Sequence, residues 1–325
     1  MLSLTLPKSK EPFARSHLLR DALAQATYDA MVADPSIYLF GEGCEPKMHY
    51  DAPSILQEFP QRIVTMPISE DGNINFCVGA ALMGVKPVYD VIAGDFLYRA
   101  FDSIANTAAK LDFVRGEPHT IVIRAEFLTG GPTTGQRVES HFVSVPGLRV
   151  AIPSTPRDAY GLMRTALETP GVTLLFEDRE IQDGEFGEDD LRLGGRVPFG
   201  EATIRNYGER GGPLVLTYGV MRQRVERALG DAGLTRPRVI DLRSLYPIDW
   251  QRLDWCMSRH NQVLIVEPDI PYGGIGAEIV AQLAERFPCT LFKRLGMPRE
   301  TISANPAAHA GLLPTEEAIL DALTF

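Results

Sequence analysis

One short run of the sequence places an acidic side chain where it could exchange protons. In residues 62–72 an apolar stretch ends in Ser69-Glu70-Asp71, and a helical pattern follows. This order predicts a short strand that delivers the Glu70 carboxylate to a helix start, where the positive end of the backbone dipole favours an acid. Ser69 is the expected capping residue. Capping alone would explain both acids, because Asp and Glu are common in first turns.

The residues that follow Glu70 favour a second interpretation of the same carboxylate. Gly79, Ala80, Ala81 and Gly84 give the predicted helix a face of small side chains. Small side chains permit close approach of another backbone or of a planar ligand. A buried helix with a charge at its open end therefore suits a cofactor cleft.

Apolar strands alternate with amphipathic helices along the whole chain. This alternation predicts an α/β fold with a doubly wound parallel sheet that carries helices on both faces. The first set has predicted strands at 37–40, 88–92, 120–123, 148–152 and 172–176, and helices at 18–31, 75–84, 97–115 and 157–169. The second set has predicted strands at 214–218, 239–242, 262–267 and 290–293, and helices near 220–232, 249–259, 275–287 and 315–323.

The composition shifts to glycine and acidic residues around 183–195, which predicts a linker. A chain of 325 residues is long enough for two domains with separate cores. We therefore expect one domain at residues 1–190 and a second at 198–325.

Bulk composition excludes several classes of protein. The chain has 42 acidic and 32 basic residues, a net charge of −10, and no basic run, which argues against a nucleic-acid partner. Its four cysteines lie far apart without metal-ligand spacing, which argues against zinc and favours a reducing, cytoplasmic compartment. No segment has the 18 or so consecutive apolar residues that a membrane span needs, so we expect no membrane association.

Three runs, at residues 62–72, 89–96 and 100–110, together resemble the β subunit of thiamine-diphosphate-dependent 2-oxo acid dehydrogenases of the pyruvate, branched-chain and acetoin types. The resemblance covers nearly the whole chain and identifies it as a divergent member of the transketolase-like superfamily. It implies a thiamine-diphosphate pyrimidine-binding domain followed by a transketolase C-terminal-like domain.

The resemblance also implies roles for single residues. Glu70 matches the glutamate that hydrogen-bonds N1′ of the aminopyrimidine and supplies the proton for cofactor activation, a role worth roughly 10²- to 10⁴-fold in rate. Phe96 falls on the aromatic position that stacks on this ring, and Ile68 on the apolar contact beside it. Glu42 corresponds to a second carboxylate near the first. Without the resemblance, Phe96 would more often be a core residue, and Glu42 an exposed loop acid.

Half of the expected active site is missing from the sequence. Enzymes of this kind hold the cofactor's diphosphate through a divalent metal bound near a Gly-Asp-Gly turn, and this chain contains no Gly-Asp-Gly. The resemblance therefore implies an α subunit that carries this motif and holds Mg²⁺, in an α2β2 heterotetramer. A lipoyl acyltransferase core is a further candidate partner.

The chain departs from the family on the side that meets the substrate. The family's His-Ser-Gln triplet falls on Thr134-Gly135-Gln136, and a second histidine falls on Ser144. A threonine hydroxyl does not exchange protons near neutral pH, so it cannot replace an imidazole. His141 could approach the site from another position. Thr134, Gln136 and His141 are thus the candidate substrate-side residues.

These features predict a thiamine-diphosphate-dependent β subunit that helps decarboxylate a 2-oxo acid and transfer the acyl group. Two alternatives stay open. One is a two-subunit transketolase or carboligase that forms a carbon–carbon bond in a biosynthetic pathway, and the other is a non-catalytic β subunit of a heteromer. A glycine-rich run, Gly273-Gly-Ile-Gly276, suggests dinucleotide binding, but Ile279 stands where a third glycine is required.

Overall fold

The computed structural model describes residues 19–42, 53–128, 130–181, 186–205, 212–231, 237–305, 307–308 and 311–325. Every candidate site residue falls within these ranges. Cys44 and residues 183–185 of the predicted linker lie outside the described residues.

Eleven helices and twelve strands position the candidate residues within the described ranges. The helices are α1 Leu19–Ala33, α2 Pro53–Glu58, α3 Glu70–Leu82, α4 Leu111–Arg115, α5 Glu139–Phe142, α6 Pro156–Glu168, α7 Glu188–Leu191, α8 Val220–Asp231, α9 Trp250–Met257, α10 Ile275–Arg286 and α11 Glu316–Ala322. The strands are β1 Ile37–Gly41, β2 Ile63–Thr65, β3 Lys86–Ala93, β4 Thr120–Phe127, β5 Leu148–Ala151, β6 Gly171–Asp178, β7 Thr203–Arg205, β8 Leu214–Thr217, β9 Arg238–Asp241, β10 Ser244–Tyr246, β11 Gln262–Val266 and β12 Leu291–Leu295.

The strands form two mainly parallel sheets. The first has the order β10-β5-β6-β4-β3-β1-β2 and the second the order β12-β11-β8-β9-β7. All pairings are parallel except β10 with β5 and β7 with β9, which are antiparallel edges. The predicted α/β fold with parallel, doubly wound sheets is confirmed.

Both faces of each sheet are buried, as the continuous apolar strands predict. Successive side chains of a strand point to opposite faces. Tyr89 and Val91 of β3 accordingly belong to one core cluster and Val88 to the other. In the second sheet, Leu214 and Val215 of β8 separate in the same way. Each core cluster extends across both sheets.

The predicted helix at 97–115 is not one continuous α-helix. The chain instead forms a 3₁₀ turn at Gly94–Tyr98, a π-helical segment at Ser103–Ala108, and α4. In the π-helical segment the Ala109 N–H bonds the Ile104 carbonyl five residues back. The wider turn holds an extra residue, which an apolar pattern with helical spacing does not reveal. Within the described residues, no helix is both long and apolar enough to cross a membrane.

Candidate active site

The Glu70 carboxyl group lies at the first turn of α3, as predicted. β2 ends at Thr65 and four residues lead to the helix, so the side chain comes to the carboxyl end of a parallel strand. Glu70 is only 6% exposed. Its one charged contact within the described residues is with Arg99, whose Nε lies 3.7 Å from Oε2. No described group donates a hydrogen bond to this carboxylate.

Ser69 occupies the N-cap position, but the prediction that its side chain caps the helix is wrong, since it makes no capping hydrogen bond. The Glu42 carboxylate holds the helix start instead. Its Oε1 accepts from the Ser69 backbone N–H at 3.0 Å, from Asn73 Nδ2 at 3.1 Å and from the Tyr89 hydroxyl at 3.0 Å. The Glu42 carboxylate, one residue beyond β1, thus fixes the N-cap residue through its backbone N–H.

Asn73 links this cluster together. Its amide nitrogen also lies 2.9 Å from the Pro67 carbonyl and 3.1 Å from the Tyr89 hydroxyl, and the residue is 3% exposed. Burial raises the pKa of the Tyr89 phenol, and Glu42 raises it further, so Tyr89 donates as a neutral hydroxyl. Sequence reasoning missed both residues because an Asn in a helix and a Tyr in a strand carry no local signal of this contact.

Phe96 and Ile68 lie on the two segments that flank Glu70. Phe96 belongs to the 3₁₀ turn and is half-buried, with its ring packed against the apolar core. Ile68 lies two residues before Glu70 and is 82% exposed. An exposed isoleucine beside a buried carboxylate leaves an apolar surface open to a bound group.

A second polar group lies one turn along α3. The Ser103 hydroxyl donates to Asp71 Oδ1, and Asn75 Nδ2 lies 2.6 Å from the Ser103 oxygen. Asp71 and Asn75 are exposed, whereas Ser103 is buried in the π-helical segment. The π-helical turn therefore brings a hydroxyl under the mouth of the site.

The candidate substrate-side residues do not all lie together. Gln136 holds the turn beneath Phe96, since its backbone N–H and side-chain amide both donate to Asp95, at 3.1 and 2.5 Å. The Thr134 hydroxyl donates to the Gly130 carbonyl at 2.9 Å, within its own loop. His141 is exposed, and its Nδ1 lies 3.3 Å from the Tyr98 hydroxyl.

Gln136 and His141 line a cleft of about 590 Å³ between the two sheets' domains, whereas Thr134 does not. The cleft walls include Tyr98, Gln136, Ser140, His141, Asp269 and Arg299. Ser140 Oγ donates to Asp269 Oδ2 at 2.5 Å, and burial raises the pKa of the Asp269 carboxyl. Tyr98 could have been found from sequence, two residues after Phe96, but Asp269 could not, because it comes from the second domain.

Buried charges join the domains beside this cleft. Arg137 contacts Glu139 at 3.0 Å and Asp178 at 2.5 Å, and Asp178 accepts from the Val220 N–H at 2.9 Å. Burial raises the pKa of Glu139 to about 7. The Arg137 guanidinium therefore already has two carboxylate partners within the protein.

The glycine-rich run opens α10, where it makes room for a side chain of this protein. The buried Glu267 accepts from the Gly276 N–H at 3.0 Å. A Cβ at Gly274 or Gly276 would come within 2.7 or 2.6 Å of the Glu267 carboxylate oxygens. The glycines are needed for this close approach, and a protein carboxylate sits where a dinucleotide fold would place phosphate.

Within the described residues, no group of three or more His, Cys, Asp and Glu side chains could hold a metal ion. Cys77 and Cys256 are buried and unpaired, and Cys289 is exposed and unpaired. The Glu70 carboxylate accepts no hydrogen bond from a described residue, so it is available to a hydrogen-bond donor of a bound group.

Comparison with known proteins identifies similar chains. Two family models match: the transketolase pyrimidine-binding domain over residues 16–182 and the transketolase C-terminal domain over residues 209–319. A protein of Gracilaria tenuistipitata var. liui, named pyruvate dehydrogenase E1 component subunit beta, is 32% identical over 284 residues, which are 83% of this chain and 85% of that protein.

A 2-oxoisovalerate dehydrogenase subunit beta of Bacillus subtilis (strain 168) is 30% identical over 282 residues, with 82% of this chain and 83% of that protein covered. Among solved structures, one described as a split gene transketolase, inactive beta4 tetramer, has a TM-score of 0.80 and 21% identity. The match covers 94% of this chain and 97% of the chain in that structure. At this identity it shows a likeness of fold alone.

Proposed function

The chain belongs to the family of transketolase-like β subunits of 2-oxo acid dehydrogenases, and we propose that it serves a two-subunit, thiamine-diphosphate-dependent enzyme. The proposed reaction decarboxylates a 2-oxo acid and transfers the acyl group. The observation that carries this proposal is the buried Glu70 carboxylate, which accepts no hydrogen bond from any described residue. It is available to a ring nitrogen.

The residues around Glu70 fit the aminopyrimidine part of the cofactor. Glu70 would bind the ring nitrogen and exchange a proton with it, Phe96 would stack on the ring, and Ile68 would make the apolar contact beside it. The bound cofactor supplies the electron sink that decarboxylation of a 2-oxo acid requires. A half-buried ring and an 82% exposed isoleucine support these roles.

Glu42 acts on the site through the start of α3. Its carboxylate is engaged with Ser69, Asn73 and Tyr89, so we propose that it positions Glu70 and forms the back of the cofactor pocket. On the substrate side, Gln136 fixes the Phe96 turn, and His141 offers an imidazole in the cleft. Thr134 orders its own loop.

The partner we propose is an α subunit that carries the Gly-Asp-Gly motif and holds Mg²⁺ and the diphosphate, in an α2β2 assembly. Exposed apolar side chains support a protein contact at α3, since Phe76 and Leu82 on the helix and Met83 just after it are 50%, 44% and 83% exposed. A Cβ at Gly79 on the same helix would meet nothing within 4 Å. We also propose a lipoyl acyltransferase core as a second partner.

We propose a pyrimidine-binding domain at residues 1–190 and a C-terminal domain at 198–325, in the cytoplasm. The separate sheets support two domains, although β10 crosses to the edge of the first sheet. The three cysteines that the structure describes are unpaired, which supports a reducing compartment.

The test is Glu70→Gln in the complex with its α partner and thiamine diphosphate. We expect exchange of the cofactor's C2 proton to slow by about 10²-fold or more, because the amide cannot supply a proton. Glu117→Gln, the same change at an exposed acid, is the control. Unchanged exchange in Glu70→Gln would reject the catalytic role and leave a non-catalytic β subunit.

The substitutions on the substrate side favour a second candidate, a transketolase or carboligase. Thr134 and Ser144 lack the expected imidazoles, and Asp71 and Asn75 make the mouth polar. Product analysis separates the two reactions. Acyl-dihydrolipoyl or acyl-CoA indicates the dehydrogenase, and a new carbon–carbon bond indicates the carboligase.

A further inference from the structure

We propose that Arg99 binds the carboxylate of the 2-oxo acid substrate. This inference rests on the proposed function, and it assigns a residue to the charged group that every 2-oxo acid brings to the site.

Arg99 is held in place by its backbone and free at its tip. Its N–H bonds the Phe96 carbonyl at 3.0 Å, so the residue is fixed to the turn that carries the proposed stacking ring. Its side chain is 78% exposed, and its nearest carboxylate is Glu70, at 3.7 Å from Nε. The two terminal guanidinium nitrogens make no hydrogen bond to any described residue. These nitrogens can meet an incoming anion.

The pair with Glu70 leaves Arg99 available. A single contact at 3.7 Å between an exposed guanidinium and a carboxylate is a weak interaction, because water screens it. The contact is single rather than bidentate, and its arginine side is exposed although Glu70 itself is buried. The terminal guanidinium nitrogens can therefore meet a second carboxylate while Nε stays beside Glu70.

Two buried arginines of the first domain are already engaged. Arg137 lies between Glu139 and Asp178, and Arg124 contacts Glu177 at 2.6 Å, both in the protein interior. The two positions at which the family places imidazoles carry the hydroxyl side chains Thr134 and Ser144. Among these residues, Arg99 alone offers an exposed cation next to Glu70, and a guanidinium matches a carboxylate with two parallel hydrogen bonds.

The experiment measures anion binding apart from turnover. Oxamate, an unreactive mimic of a 2-oxo carboxylate, and oxamide, its neutral counterpart, are titrated calorimetrically into the α-partner complex loaded with thiamine diphosphate. In Arg99→Gln we expect the oxamate Kd to rise about 10- to 100-fold, the usual effect of losing a charge-assisted hydrogen bond, while the oxamide Kd is unchanged. Arg99→Lys should restore part of the oxamate affinity, because it keeps the charge without the planar fork.

Steady-state kinetics and a matched control complete the test. The loss in Arg99→Gln should fall on KM for the 2-oxo acid rather than on kcat. Arg115→Gln, the same change at an exposed arginine at the end of α4, should leave oxamate binding as it is.

Three results would overturn the proposal. The first is an unchanged oxamate Kd in Arg99→Gln. The second is slower C2-proton exchange in that variant without substrate, which would mean that Arg99 acts by positioning Glu70. The third is loss of the α-partner complex, which would mean that Arg99 belongs to the subunit contact. Failure of the proposed function is a separate outcome, because it appears as unchanged C2-proton exchange in Glu70→Gln.

Discussion

At the scale of single residues, the position of the Glu70 carboxylate depends on a cluster of polar groups at the start of α3. Asn73 Nδ2 lies within 3.1 Å of oxygens from Glu42, Pro67 and Tyr89, which come from three segments. Buried polar atoms of this kind are costly when unpaired and hold one geometry when paired. The cluster therefore fixes the angle at which α3 presents Glu70.

Replacing Asn73 tests this dependence. Asn73→Ala removes the shared donor and should lower the free energy of unfolding by about 1–3 kcal/mol, as measured by urea denaturation. Asn106→Ala removes an exposed amide that bonds Asp102 at 2.6 Å and should cost less than about 0.5 kcal/mol. If the free energy of unfolding fell equally in the two variants, the buried hydrogen bonds of Asn73 would contribute no more to stability than the exposed one of Asn106.

Local patterns predicted Glu70 but not its surroundings. The acid is visible because strand, cap position and helix follow one another within ten residues. Arg99, Asn73 and Asp269 were not predicted, since their contacts join residues far apart in sequence: Asn73 meets Glu42 across 31 positions, and Asp269 meets Ser140 across 129.

At the scale of elements, the start of α10 can pack against Glu267 only because position 276 is a glycine. Gly276→Ala puts a methyl group 2.6 Å from Glu267 Oε1, and this carboxylate is buried and cannot move freely. Overpacking of this kind should destabilise the protein by about 1–3 kcal/mol. Thermal unfolding of Gly276→Ala and of the control Gly230→Ala, where the space is open, measures the difference.

A double variant identifies the cause of that loss. If the clash with Glu267 is responsible, Glu267→Ala should cost less in the Gly276→Ala background than in the native protein. The control Gly230→Ala lies in α8 and should be neutral or slightly stabilising, since alanine favours a helix over glycine. Additive losses at 267 and 276 would contradict this account.

The predicted central elements are confirmed, and the missing ones are short or irregular. The predicted strands at 120–123 and 172–176 correspond to β4 and β6. They were visible because buried parallel strands are apolar without interruption. β7 and β10 have three residues each, too few for a pattern, and both pair antiparallel at sheet edges. Only tertiary contacts define them.

At the scale of the whole molecule, acids buried between and within the domains make stability depend on pH. Burial raises the pKa of Glu267 to about 8 and that of Glu139 to about 7, well above the ordinary glutamate value. The folded protein then binds more protons than the unfolded chain above about pH 5, so stability falls as pH rises through the folded pKa values. The two family models confirm the predicted domain types, a transketolase pyrimidine-binding domain and a transketolase C-terminal domain.

Urea unfolding between pH 6.5 and 8 tests this dependence. We expect the free energy of unfolding to decrease across that interval, by up to about 1.4 kcal/mol per pH unit for each group. Glu267→Gln should flatten the decrease, because the amide does not ionise. Glu285→Gln, at an exposed acid, should keep the native slope. A slope that Glu267→Gln leaves unchanged would place the proton uptake elsewhere.

Exposed apolar side chains on and just beyond α3 predict the surface at which the partner subunit binds. Exposed apolar side chains lie on α3 at Phe76 and Leu82, and at Met83, which follows the end of the helix opposite Glu70. Met83→Asp should therefore weaken association with the α partner at least about 10-fold, since a contact there would bury an unpaired charge, and sedimentation velocity of the mixture measures it. Val32→Asp is the matched control, because Val32 is 58% exposed in the last turn of α1. If both variants associate like the native chain, the partner binds another surface, and Glu70 must be completed from a different side.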